Sequence, residues 1–302
     1  MRNQLLISAL LGAASARDIP ANVQAFYDQV KSAGTCSNKL ATGFYALDGG
    51  ANTYSYCGDH LDDYNVVYIK GTDARLADMD IDCDGIGDGP GNDGRCGSSS
   101  DTQGDTSFMD EVASYNKGVD NLNAFVHTYV VFGNTGSKSG WKTFDPKEYG
   151  IEPLSLMAVV CNNKLIYGIW GDENGDDGQH PMVGEAAIST ATACFGTGVN
   201  GNAGHEQTDV LYIAFPGSNA KPGANGADWG AQSWQDFQSS IQSLGDKLIQ
   251  RIGGNGTEGG DPGNGGGGDN CEWAGHCEGA SCSTDDDCSD PWYCVSGKCG
   301  SD

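Results

Sequence analysis

Carboxylates at the borders of apolar runs are where acid–base chemistry can start, and one stretch of this 302-residue chain carries two. In Ile169-Trp-Gly-Asp172-Glu-Asn-Gly-Asp-Asp-Gly-Gln-His-Pro-Met-Val-Gly184-Glu185-Ala-Ala187, Asp172 ends an apolar run and Glu185 begins an Ala-rich one. The polar segment between them must loop out, so the two carboxyls return near each other where scaffold meets loop, the usual place for catalytic groups. Two carboxyls across a cleft suit glycoside hydrolysis. One, protonated, gives its proton to the leaving oxygen; the other, ionised, activates water or attacks carbon. The plain alternative is a solvated loop of the kind acidic proteins make from Asp, Asn and Gly.

A second acidic run, Asp78-Met-Asp80-Ile-Asp82-Cys83-Asp84-Gly85, opens like a calcium loop, with alternate carboxylates before a turn glycine. Twelve positions on from Asp80 an EF-hand needs a bidentate Glu, and Gly91 stands there, so no metal is assigned, although another kind of calcium loop fits the same residues. If Cys83 pairs with Cys96, the run is a stapled, acid-rich surface loop, and Asp80, Asp82 and Asp84 become candidate contacts for a cationic ligand. Asp105 and Asp145 are further candidates for ammonium groups. Trp170 could stack on a sugar ring, or equally serve as core on a buried strand. The histidines show no HExxH or paired zinc spacing, and neither a Gly-x-Ser-x-Gly elbow nor a phosphate loop occurs. No cofactor is called for.

Elements must hold these residues in place. Val23, Phe26, Tyr27 and Val30 recur at helical spacing over 20–33, and a second stripe, Trp234, Phe237, Ile241, Leu244 and Leu248, follows Ser233 as N-cap with Asp236 three residues on. Strand candidates between them are 43–47, 65–70, 125–132, 154–161, 165–170 and 209–215, short runs of branched and aromatic residues punctuated by glycine. Asn162-Asn163 reads as a tight hairpin turn, since Asn tolerates positive φ. The fold class is therefore α+β, a mainly antiparallel sheet or barrel-like core flanked by a few helices, followed by a small disulfide-rich module.

Charge and cysteines bound the rest. With 41 acidic and 16 basic residues the formal charge is −25, which disfavours nucleic acid and anionic membranes and favours a polycationic partner. Residues 1–16 read as a signal peptide ending Ala14-Ser15-Ala16, so a secreted, extracellular monomer is expected. Cys36, Cys57, Cys83, Cys96, Cys161 and Cys194 lie in the main domain, 17–252, and Cys271, Cys277, Cys282, Cys288, Cys294 and Cys299 crowd a module at 271–302, so each half can close its own disulfides. Between them, 253–270 is a Gly-rich linker carrying the one sequon, at Asn255. In the module, Trp273, Trp292 and Tyr293 with nearby acids could bind polysaccharide, or the module could be a stabilising knob.

Asp78-Met-Asp-Ile-Asp-Cys-Asp-Gly85, the following Cys96, Asp105-Thr-Ser-Phe108, Trp170-Gly-Asp172 and Gly184-Glu185-Ala-Ala-Ile-Ser189 resemble, in order, the fungal endo-chitosanases of glycoside hydrolase family 75. The likeness spans residues 20–252. It implies cleavage of β-1,4 links between glucosamine units with inversion, through an Asp and a Glu that fall on Asp172 and Glu185. Glu185, partly desolvated, is then the general acid and Asp172 the base, with the reverse order also open. The rival reading is a secreted wall- or chitosan-binding protein that uses the same acidic cleft without hydrolysis.

Overall fold

The computed structural model describes residues 17–253, apart from 48, 98, 100, 101 and 177, together with 293–295 and 298–300. The leader, the Asn255 sequon, Cys271, Cys277, Cys282, Cys288, Trp273 and Trp292 lie outside the described residues. The chain divides into two units, Met1–Gly259 and Gly260–Asp302. In the second, Tyr293–Val295 pairs antiparallel with Lys298–Gly300, and Cys294 is disulfide-bonded.

Branched and aromatic runs separated by glycine build nine strands among the described residues of the first unit: β1 (Lys39–Phe44), β2 (Tyr54–Cys57), β3 (Val67–Lys70), β4 (Ala77–Asp82), β5 (Tyr129–Asn134), β6 (Leu156–Cys161), β7 (Lys164–Asn174), β8 (Glu185–Ala187) and β9 (His205–Ala214). Their order is β1-β2-β3-β9-β4-β8-β5-β7-β6, and β6 pairs again with β9, so six strands close into a ring from which β3, β2 and β1 extend. Closure leaves no free edge among those six. The expected barrel-like core is present, and most pairings are antiparallel. Two are not: β4 runs parallel to β8, and β5 parallel to β7. The β6–β7 hairpin turns on Asn162 and Asn163, with φ of 47° and 55°.

Among the described residues, four helices accompany the sheet: α1 (Ala21–Ser32), α2 (Met109–Ser114), α3 (Ile188–Phe195) and α4 (Trp234–Leu248). Both expected helices form. Val23, Phe26 and Val30 of α1 are buried, and the Ser233 hydroxyl of α4 accepts the Asp236 N–H as a cap. Helix α3 has no polar face to betray it, because Ile188, Ser189, Thr190, Ala191, Ala193 and Cys194 are all buried.

Disulfides join Cys36 to Cys57, Cys83 to Cys96 and Cys161 to Cys194, so the main-unit cysteines close among themselves. The acidic run 78–85 requires a correction. It was expected as a surface loop, yet Ala77–Asp82 is strand β4, inside the ring between β9 and β8. Asp-Met-Asp-Ile-Asp alternates with the period of a strand, and that pleat puts Asp80 and Asp82 on one face.

Candidate active site

The two carboxylates singled out by sequence reach the same strand from opposite sides. Val131 of β5 is the register partner of Glu185 in β8 and of Asp172 in β7. Residues in register point to the same face, so Asp172 and Glu185 share one face of the ring across Val131, two strand spacings or roughly 9–10 Å apart at Cα. Asp80 is in turn the partner of Glu185, and Asp82 that of Ala187. Four acids from three strands therefore share this face.

Asp172 owes its direction to a bulge. Along β5 and β7 the register runs Tyr129 with Ile169 and Val130 with Trp170, then skips Gly171 to pair Val131 with Asp172. One extra residue turns Asp172 away from the face of Trp170 and onto that of Tyr129 and Val131. Gly171 is the residue that allows it, because a Cβ there would lie 2.5 Å from the Cβ of Tyr129 and 2.6 Å from Leu122 Cδ1. Gly184, before Glu185, has a φ of 97°, and a Cβ on it would meet Asp78 Oδ1 at 2.5 Å.

Hydrogen-bond donors converge on one oxygen of Asp172. Its Oδ1 accepts the Ser107 N–H at 3.0 Å, the Glu173 N–H at 2.8 Å and the Ser107 hydroxyl. Asp172 is 5% exposed, and burial raises its carboxyl to about 6, against the opposing pull of those donors. Glu185 is the more exposed of the two, half-buried, so desolvation acts more on Asp172 than the sequence suggested. The oxygens of Asp82, Asp84 and Asp172 lie within 4.8 Å of one another, all buried. Backbone amides meet this charge: Asp84 N–H donates to Asp82 Oδ1 at 2.6 Å, and Gln103 N–H to Asp84 Oδ1 at 2.6 Å. Burial first, and then the charges of Glu185, Asp172 and Asp84, push Asp82 well above the usual carboxylate range. Tyr129, fully buried, donates its hydroxyl to the Asp84 carbonyl at 3.1 Å and also bonds Asp82.

The other candidates separate. Asp80 is half-buried beside Glu185 and Asp105 is exposed two residues before Ser107, both within reach of solvent. Asp82 and Asp84 are buried, which corrects their expected place on a surface loop. Trp170 is also corrected as a stacking platform: it is 0% exposed and packs edge-on against Phe108 at 4.8 Å. Asp145 caps a short 3-10 turn by accepting Lys147 N–H and lines a separate cavity of about 310 Å³ with Asn134, Thr135, Glu148 and Tyr149. Glu173 turns to the other face, toward Thr135, Lys147 and Asp145. Asp176 holds its loop by accepting from the Ser137 hydroxyl and Lys138 N–H. His127 is structural: its Nδ1 accepts the Asn123 N–H, its Nε2 donates to the Trp229 carbonyl, and burial lowers it to about 4. Ser107 and Gly171 fall within the Asp105-Thr-Ser-Phe108 and Trp170-Gly-Asp172 stretches that carry the family resemblance, but sequence reasoning gave them, and Tyr129, no role.

Several relatives match this chain in sequence along almost their whole length. Residues 79–251 match the family described as fungal chitosanase of glycosyl hydrolase group 75. The chain is 45% identical over 247 residues to an endo-chitosanase of Aspergillus oryzae, covering 80% of this chain and 94% of that protein. It is 41% identical over 249 residues to an endo-chitosanase of Aspergillus fumigatus, covering 82% and 97%. To endo-chitosanase B of Aspergillus oryzae it is 40% identical over 251 residues, again covering 82% and 97%. With the family model and these relatives spanning β4 to α4 and the carboxylate face between them, the chain belongs to the fungal chitosanases of glycosyl hydrolase group 75.

Proposed function

We propose that the protein is a secreted endo-chitosanase that hydrolyses β-1,4-glucosaminidic bonds with inversion, using Asp172 and Glu185. The observation that carries this reading is the shared register partner, Val131, which sets the two carboxyls on one face with a strand between them. Retaining glycosidases hold their carboxyls about 5 Å apart, whereas inverting ones leave about 6.5–9.5 Å for a water. A full intervening strand favours the wider gap.

Roles follow from the donors. Three of them stabilise the ionised form of Asp172, which above about pH 6 activates water on one face of the sugar. Glu185, half-exposed on the opposite side of Val131, protonates the leaving oxygen. Half-buried Asp80 and exposed Asp105 would meet substrate ammonium groups.

The test is D172N and E185Q, each expected to lose about 10²–10⁴-fold in kcat on soluble chitosan. An aryl glycoside with a good leaving group should restore turnover to E185Q and not to D172N; the reverse pattern exchanges the roles. Products of the parent enzyme should first appear as the α anomer. Stability separates chemistry from folding. The native pKa of Asp172 is raised, so its contribution to stability is full below the unfolded value near 4 and is lost as pH rises through about 6. Asn avoids that loss while still accepting from Ser107 and Glu173, so at pH 7 D172N should melt at or above the parent. Chitosan that keeps its viscosity and reducing ends with the parent protein would replace this reading with that of a binder.

A further inference from the structure

We propose that Asp82 is a positioning residue of the reaction: it holds the proton of the buried carboxyl group, so that Asp172 beside it can be ionised, and it makes no contact with the sugar. The inference rests on the catalytic reading of Asp172 and Glu185 above.

The geometry fixes a competition among neighbours. Asp82, Asp84 and Asp172, all buried, bring oxygens within 4.8 Å of one another, and Glu185 acts on Asp82 from β8. Carboxylates at such spacing in a buried site cannot all ionise, so a proton must reside on one of them. Donors decide which. Asp172 Oδ1 collects three, from Ser107 N–H, Ser107 O–H and Glu173 N–H, and is the carboxyl best prepared for charge. Asp82 Oδ1 accepts one backbone amide, that of Asp84, at 2.6 Å.

Position gives Asp82 the proton as well. It feels Asp172 from β7, Glu185 from β8 and Asp84 from its own segment, while Tyr129 from β5 bonds it. A neutral Asp82 removes one of the two carboxylate charges beside Asp172. An ionised Asp82 would instead oppose the charge that Asp172 needs. Asp82 lies at the end of β4 with an oxygen within 4.8 Å of one on Asp172, so its charge state acts directly on that carboxyl.

The experiment compares D82A and D82N in the full chain, with kcat and KM on soluble chitosan. D82A should lose about 100-fold in kcat with KM within about twofold, and D82N, a neutral isostere, should recover to within about tenfold of the parent. A rise in KM with kcat retained in both variants would make Asp82 a substrate contact and overturn the proposal, as would D82N falling as far as D82A. The proton itself is read by infrared difference spectroscopy at neutral pH between E185Q and E185Q/D82N. A protonated-carboxyl carbonyl band that disappears with D82N supports the assignment, and its absence from E185Q overturns it. This measurement needs no turnover, so it decides the state of Asp82 even if D82A does not fold or the parent proves inactive on chitosan, an outcome that would instead fell the catalytic reading.

Discussion

Ser107 supplies two of the three donors on Asp172, its amide and its hydroxyl, although sequence reasoning gave it no role. A hydrogen bond to a charged group contributes about 1.5–3 kcal/mol, or about one to two units of pKa. Ser107→Ala keeps the amide and removes the hydroxyl, so the Asp172 pKa should rise further from its value of about 6. If Asp172 works as the ionised base, the acidic limb of the kcat profile should move to higher pH by about one unit, with KM little changed. At pH 5 the loss is then large, and at pH 8 small. A limb that stays in place would show that the hydroxyl does not tune the base. A limb that moves to lower pH would contradict the sign of the donor effect altogether.

At the scale of elements, the site depends on the register between β5 and β7. Gly171→Ala would drive a methyl to 2.5 Å from the Cβ of Tyr129, a contact that neither backbone can relieve by a side-chain rotation. The cost of such overpacking is about 1–3 kcal/mol, and relief by closing the bulge would turn Asp172 to the face of Trp170. The variant should therefore lose most of its activity and melt lower than the parent, while D172N loses activity alone. Retained kcat in a destabilised Gly171→Ala protein would show that the bulge is not what aims Asp172. Sequence shows the ends of this arrangement and not its middle. Asp172 and Glu185 stand out because apolar runs stop or start beside them, and the capped helix α4 announces itself through Ser233 and Asp236. The skip at Gly171 leaves no trace, since a glycine between Trp170 and Asp172 reads equally as a strand end; β7 in fact continues to Asn174, paired with β5 at Asn134. Strand β4 was legible in principle from the alternation of Met79 and Ile81 with three acids, but the same spacing imitates an ion-binding loop. What decides between them is the pairing with β8 and β9, a long-range fact that local pattern does not contain.

For the whole molecule the question is what a net charge of −25 does that two catalytic acids do not. Residues 271–302 hold seven acids and one lysine, a balance of −6, and 253–270 add −3, so −16 belongs to residues 1–252. Charge on that scale raises the local concentration of a polycation and steers its approach, but it contributes little at the reacting bond. The two effects separate with salt. The screening length falls from about 10 Å at 0.1 M ionic strength to about 3 Å at 1 M, so long-range attraction should fade while the buried groups around Asp172 are screened far less. On highly deacetylated chitosan, KM should therefore rise several-fold between these salt concentrations, with kcat changing little, and the rise should shrink as acetylation removes ammonium groups from the polymer. If KM is indifferent to salt on the fully deacetylated polymer, recognition rests on short contacts such as those open to Asp80 and Asp105, and the acidic surface is not what gathers the substrate. If kcat falls with salt in parallel, screening is reaching the carboxyls themselves, and the burial that sets the state of Asp172 and Asp82 does not persist in solution.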